Sequence, residues 1–135
     1  EIYTLSLHDA LPIWVDVAAL DWEDIATTPD GRIWVADTGD NDLARPTVQV
    51  VVVEEPTVLV GADVPSVVYS LRYPDGPHDA EALLVDPRDG RVHLVTKDPS
   101  GGAWYRAPAR LDPDGVVARR GVPNPARSVG FRRQG

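Results

Sequence analysis

Cysteine and methionine are both absent from this chain, and phenylalanine and lysine each occur once, the lysine at Lys97. Without cysteine there is no disulfide, no thiolate metal ligand and no cysteine nucleophile. Without methionine no initiator is visible, so the reading frame is expected to begin upstream, together with any targeting signal. No apolar stretch approaches the ~20 residues that cross a bilayer, which leaves no expected membrane span. No segment holds a sustained helical period. A Gly-x-Ser-x-Gly elbow, a phosphate-cradling glycine loop and a paired zinc-ligand motif are all missing. Positive charge is scarce until the end: up to Val117 there are 21 acidic and 8 basic residues, and from Ala118 onward five arginines and no acid. The acidic body argues against nucleic acid as a partner, since phosphate backbones are bound by lysine and arginine. The arginine-rich end reads as a tail, with residues 122–135 expected to be disordered or non-native.

What is present is a unit written twice. Asp21-Trp22-Glu23-Asp24-Ile25-Ala26-Thr27-Thr28-Pro29-Asp30-Gly31-Arg32-Ile33-Trp34-Val35 is answered by the stretch from Asp79 to Leu94, offset by 58 residues before the turn and 59 after it. The second turn, Pro87-Arg88-Asp89-Gly90, holds the extra residue. Such a repeat constrains architecture before any single residue is interpreted.

Residues 1–13 (Glu1 to Ile13) resemble the one-frame translation of a short-read sequencing adapter. Two of the four isoleucines fall there. The segment has neither the basic start nor the continuous apolar run of a signal peptide, and it is expected to lie outside the fold. His8 and Asp9 therefore receive no chemical role.

The rest consists of short apolar runs divided by turn signals. Glu23–Thr28 reads as a strand closed by Pro29-Asp30-Gly31, where glycine supplies the positive φ that tight turns often require. Arg32–Asp37 returns, with Ile33 and Val35 on one face and Trp34 and Ala36 on the other. Val48–Val53, apolar on both faces, suits a strand buried from two sides. Val67–Tyr73 alternates, with Val67, Tyr69, Leu71 and Tyr73 pointing one way. Glu81–Asp86, Arg91–Lys97, Ala103–Ala107 and Val116–Arg120 form a second set of four. Close strand–turn–strand spacing implies antiparallel pairing, because parallel pairs need long crossovers.

The segment Ile25–Asn41, with its Pro-Asp-Gly turn and its Val35-Ala36-Asp37-Thr38-Gly39 strand end followed closely by Asn41, resembles the NHL repeat. In the second unit Thr96-Lys97-Asp98 stands in place of the Ala-Asp-Thr step. More broadly, Trp22-Glu23-Asp24 and the stretch from Tyr73 to Leu83 resemble six-bladed extracytoplasmic β-propellers of high-GC bacteria. The resemblance implies an all-β fold of two consecutive four-stranded antiparallel blades, residues 14–78 and 79–121, cut from a larger ring. It also implies an extracytoplasmic or secreted location. Each blade would bury its faces against neighbours, so this piece is expected to expose two apolar flanks, with Val48–Val53 as an aggregation-prone segment.

Antiparallel order puts the start of the first strand and the end of the second at one end of a blade. Asp21, Glu23 and Asp24 then share that end with Asp37, Asp40, Asn41 and Asp42; in the second unit Asp79 and Glu81 share it with Lys97 and Asp98. In a propeller the first strands line the channel, so Glu23 and Glu81 would meet at its mouth. Carboxylates so gathered suit a hard cation such as calcium, which takes six to eight oxygens. The expected metal ligands are Glu23, Asp37, Asp40, Asn41, Asp79 and Glu81. Aspartate and asparagine at strand ends also serve simply as turn formers. Lys97 could bind an anion or pair with Glu81, and the ion pair is the more economical account. His78 faces the same end and could act as a general acid–base group; Glu23, Glu81, His78 and Lys97 form the expected ligand-binding set. His93 stands where the first unit has Trp34, and a packing role follows. Trp22, Trp34, Trp104 and Tyr105 are expected between the blades.

The absence of a recognisable nucleophile–base pair puts a binding scaffold first, taking a small molecule, glycan or protein at the mouth. A calcium-assisted hydrolase of phosphoesters or lactones is the alternative.

Overall fold

The computed structural model describes residues 14–57, 63–97, 101–113, 116–117 and 119–120. The expectations for residues 1–13, Asp98 and 122–135 lie outside them. Every regular element among the described residues is a strand: β1 (Trp14–Val15), β2 (Trp22–Thr28), β3 (Arg32–Asp37), β4 (Val48–Glu54), β5 (Asp63–Val64), β6 (Ser66–Arg72), β7 (Ala80–Val85), β8 (Val92–Thr96), β9 (Trp104–Arg106), β10 (Val116–Val117) and β11 (Arg119–Arg120).

The chain forms two open sheets and a small parallel pair, β1 with β5. In the first sheet β2, β3, β4 and β6 follow one another as an antiparallel meander. In the second β7, β8 and β9 do the same. The fourth strand expected there, Val116–Arg120, divides instead. Its first half, β10, pairs parallel with β6 of the first sheet, and only β11 joins β9. Both hairpin turns carry glycine in the left-handed region, Gly31 at φ 78° and Gly90 at φ 69°, where a Cβ is strongly disfavoured.

The two sheets face one another across a shared core. Trp34, Ala36, Val50, Val52 and Leu71 from the first meet Leu83, Val92, Leu94 and Tyr105 from the second, and β2 lies against β7. Of the apolar face expected in Val67–Tyr73, Leu71 and Tyr73 are buried and Tyr69 packs against the core, whereas Val67 is 45% exposed. Val48–Val53 sits in β4, paired on both edges and buried apart from Gln49; in the folded protein it is an interior strand and no flank. The aromatic expectations divide as well. Trp34 and Tyr105 are in the core, whereas Trp22 and Trp104 are exposed, because register turns their side chains away from the facing sheet.

One irregularity recurs in both units. β2 pairs Trp22 with Asp37 and then Asp24 with Ala36, so Glu23 is an extra residue without a cross-strand partner. β7 pairs Ala80 with Thr96 and then Ala82 with Val95, so Glu81 is extra in the same way. A bulge of this kind re-aims a side chain out of the regular alternation.

Candidate functional site

The two bulges bring Glu23 and Glu81 to the same end of the paired sheets. With Asp79 they form a cluster in which one carboxylate oxygen from each lies within 4.8 Å of the others. Asp79 is buried, Glu23 half-buried and Glu81 exposed. Lys97 sits against them: its Nζ donates to Glu81 Oε1, forms a 3.1 Å ion pair with Asp79 Oδ2, and reaches Asn41 Oδ1 at 3.4 Å. The expected Lys97–Glu81 pair is therefore present, and extended by Asp79. The hydrogen bonds from Lys97 to Glu81 and Asp79 raise its pKa above the usual lysine range.

Glu23 is held differently. Desolvation, then the charges of Glu81, Asp21 and Asp79, raise its pKa above the usual 4.5, and Lys97 opposes them only in part. Its carboxylate, with that of Asp21, lies over Gly39, where a Cβ would collide with Asp21 Oδ2 and Glu23 Oε1. The contact is with side chains rather than backbone, so a Cβ here would have to displace those two carboxylates.

Two of the other expected ligands have their carboxylates engaged elsewhere. Asp37 accepts the N–H groups of Leu20 (3.1 Å) and Asp21 (2.8 Å), and pairs with Arg45 Nη1 at 3.1 Å. Asp40 accepts the N–H groups of Ala44 and Arg45, both at 2.9 Å. Here the turn-forming alternative describes the geometry: buried carboxylates satisfy backbone donors that pair with no strand. Asp79 combines both uses, since its Oδ1 accepts the N–H of Asp40 at 2.9 Å.

His78 stands apart from the cluster, in a second network. Its Nε2 lies 3.0 Å from Asp75 Oδ1 and 2.8 Å from the Tyr105 hydroxyl, which itself lies 2.9 Å from Asp75 Oδ2. Burial works against charge on Asp75, but the bonds from Tyr105 and His78 prevail and keep its pKa below the usual 3.8. Tyr73 packs edge-on against both rings, and burial raises its phenol pKa above the ordinary range. His93 packs as expected of a residue replacing Trp34, its ring 5.1 Å from that of Trp104 and its Nδ1 accepting the indole N–H at 3.0 Å.

Sequence reasoning placed Asp24 at this end but gave it no role. Its Oδ1 accepts the N–H of the next residue, Ile25, and its Oδ2 accepts the N–H of Leu83 in the other unit, both at 2.8 Å. Ile25 and Leu83 are equivalent positions of the repeat, which was the available signal. Asp75 and Tyr105, which fix His78, carried no signal beyond their residue types.

At the opposite end the two hairpin turns wall a cleft of about 810 Å³, with Asp30, Arg32, Trp34, Tyr69 and Asp89 among its lining. Its carboxylates, Asp86 included, are bound by their own turns: Asp30 by Thr28 and Arg32, Asp86 by Arg88, and Asp89 by Arg91. The clustered acid groups thus lie away from this cleft.

Among the described residues no helix is long and apolar enough to cross a membrane. Comparison with known proteins finds no matching family model, no matching curated protein and no matching solved structure.

Proposed function

We propose that the chain is a pair of neighbouring β-propeller blades whose acidic cluster binds the cationic group of a small molecule or protein partner. The observation that carries this reading is the convergence of Glu23, Asp79 and Glu81 from two units beside a single ammonium, Lys97. Matching bulges on the first strand of each unit, and the NHL-like Ile25–Asn41 segment, support the propeller. Three clustered carboxylates, with Asp21 close by, exceed the one lysine among them, so the local potential is negative. Lys97 already models the interaction: an ammonium held by carboxylates at a partly desolvated surface. A ligand amine or guanidinium would use Glu23, the member that Lys97 leaves least neutralised.

Calorimetric titration of the full chain with an oligolysine peptide and with a neutral oligosaccharide tests the reading. Binding of the peptide, weakened about tenfold in Glu23→Gln, corresponds to ~1.4 kcal/mol and supports it. Binding of the oligosaccharide alone, unaffected by Glu23→Gln, overturns it.

A second reading, calcium-assisted hydrolysis, draws on the same 4.8 Å grouping of carboxylate oxygens. The donor set fits a hard cation in kind, since Glu23, Asp79 and Glu81 all offer oxygen, but three side chains fall short of the six to eight oxygens calcium takes. Asp37 and Asp40 are engaged by backbone donors, and Lys97 would have to swing away. Bound there, the ion would polarise a substrate oxygen or a water. A calcium-dependent rise in melting temperature, lost in Glu81→Gln, is the result this reading requires.

A further inference from the structure

The cleft at the turn end has its acceptors occupied and several of its donors free. Both units wall it, through the turns around Asp30 and Asp89, and Arg110 and Leu111 line it from the segment after β9. Its volume of about 810 Å³ falls within the roughly 300–1,000 Å³ of small-molecule sites.

Each carboxylate oxygen in that lining already has a partner. The Thr28 hydroxyl donates to Asp30 Oδ1, and Arg32 pairs with Asp30 Oδ2 at 3.5 Å. Arg88 takes both oxygens of Asp86. Arg91 donates its backbone N–H to Asp89 Oδ1 at 3.1 Å and pairs with Oδ2 at 3.4 Å. The bond from Thr28 holds the Asp30 carboxyl below its usual 3.8, and the bonds from Arg88 do the same for Asp86. Every cleft carboxylate thus has an arginine of its own, and Arg110 is the guanidinium left over. It is exposed, lines the cleft and pairs with no described residue. The Tyr69 hydroxyl is likewise unbonded among the described residues, whereas the Trp34 indole N–H is used on Thr28 at 3.0 Å.

We propose that this cleft binds a small organic monocarboxylate with an aromatic or apolar body, its carboxylate on Arg110 and its body against Tyr69 and Leu111. A ligand must bring what the cleft lacks, and the cleft lacks free acceptors. A guanidinium presents planar, paired N–H groups that match a carboxylate. Tyr69 and Leu111 are both half-buried, so part of each side chain remains open to an apolar surface. One unpaired arginine matches one negative charge. A dianionic phosphate would bring a second charge close to three carboxylates with nothing further to offset it. A neutral polyol would need acceptors for its own hydroxyls, and those of Asp30, Asp86 and Asp89 are taken. The site lies at the opposite end from Glu23, Asp79 and Glu81, and it needs neither the propeller reading nor a ligand at that cluster.

Amide and indole NMR of the full chain, titrated with naphthylacetate, tests it, with neutral naphthylacetamide and naphthyl phosphate as comparisons. Saturable shifts of the Trp34 indole and of the Arg110 and Leu111 amides with naphthylacetate support the proposal. Binding should weaken about tenfold in Arg110→Ala and be lost with the amide. Arg110 is exposed, so this variant should keep the fold, which unchanged amide shifts in β4 verify. No saturable shift with naphthylacetate overturns the proposal, as does an affinity that Arg110→Ala leaves intact. Equal binding of naphthylacetamide overturns it too, because the body alone would then carry recognition. Tighter binding of naphthyl phosphate overturns the assignment of a singly charged ligand. Oligolysine titration of Arg110→Ala should match wild type, and Glu23→Gln should bind naphthylacetate normally, so this proposal and the proposed function fail independently.

Discussion

Glu23 and Glu81 stand 58 residues apart, each the extra residue of a β-bulge at the same position of its unit, and their carboxylates meet in one cluster. A regular strand would have alternated both side chains with their neighbours. The bulge frees them from that alternation at a sheet edge, where a side chain can be turned toward another element.

The Glu23 charge is unfavourable in the folded state, so Glu23→Gln should raise stability at neutral pH. The sign follows from proton linkage: a carboxyl whose folded pKa is raised binds more protons folded than unfolded between the two values, so stability falls as pH rises through that window. The window opens at the usual 4.5 and extends upward. Thermal melts from pH 4 to 8 should show wild type and Glu23→Gln converging below the window and separating above it. A less stable Glu23→Gln at pH 7 would contradict this origin of the shift.

Asp24→Ala removes the acceptor that joins the two units at Leu83. Loss of a partly buried, charge-assisted bond costs about 1–3 kcal/mol. Urea denaturation should show a lower midpoint with unchanged slope, and the Leu83 amide should lose protection from hydrogen exchange. Unchanged protection would mean that another acceptor replaces Asp24.

Gly39→Ala tests the close approach of Asp21 and Glu23 to the backbone. The added methyl must displace both carboxylates, so the melting temperature should fall and the Glu23 titration, followed by carboxyl NMR, should move. A wild-type Glu23 titration in this variant would show that the cluster does not depend on that packing.

Tyr105→Phe deletes the hydroxyl that bonds Asp75 and His78. A loss of about 1 kcal/mol is expected, and the Asp75 pKa should return toward its usual value. Because a depressed carboxyl pKa stabilises above the unfolded value and that gain is lost as pH falls through the folded one, the destabilisation should be full at neutral pH and shrink in acid, below 3.8. A deficit that stays constant down to pH 2 would assign the effect to packing alone.

The repeat, the turn glycines and the alternation of apolar residues were enough to place seven main strands in antiparallel order, because each rests on interactions within a few residues of chain. Val48–Val53 likewise announces a strand buried on both sides by having no polar face. Sequence also put Asp79 and Glu81 at one end with Lys97, and Glu23 at the corresponding end of its own unit, by antiparallel order; that the two ends would meet came from the propeller resemblance. It did not separate them from Asp37 and Asp40, because that separation depends on which backbone N–H groups lack strand partners, and those belong to Leu20, Asp21, Ala44 and Arg45. Nor did it show the bulges, the splitting of 116–120 between two sheets, or the outward turn of Trp22 and Trp104. Each of these is settled by register against a distant strand, where a shift of one residue reverses every face, and register is a property of the packed sheets rather than of any one stretch of chain.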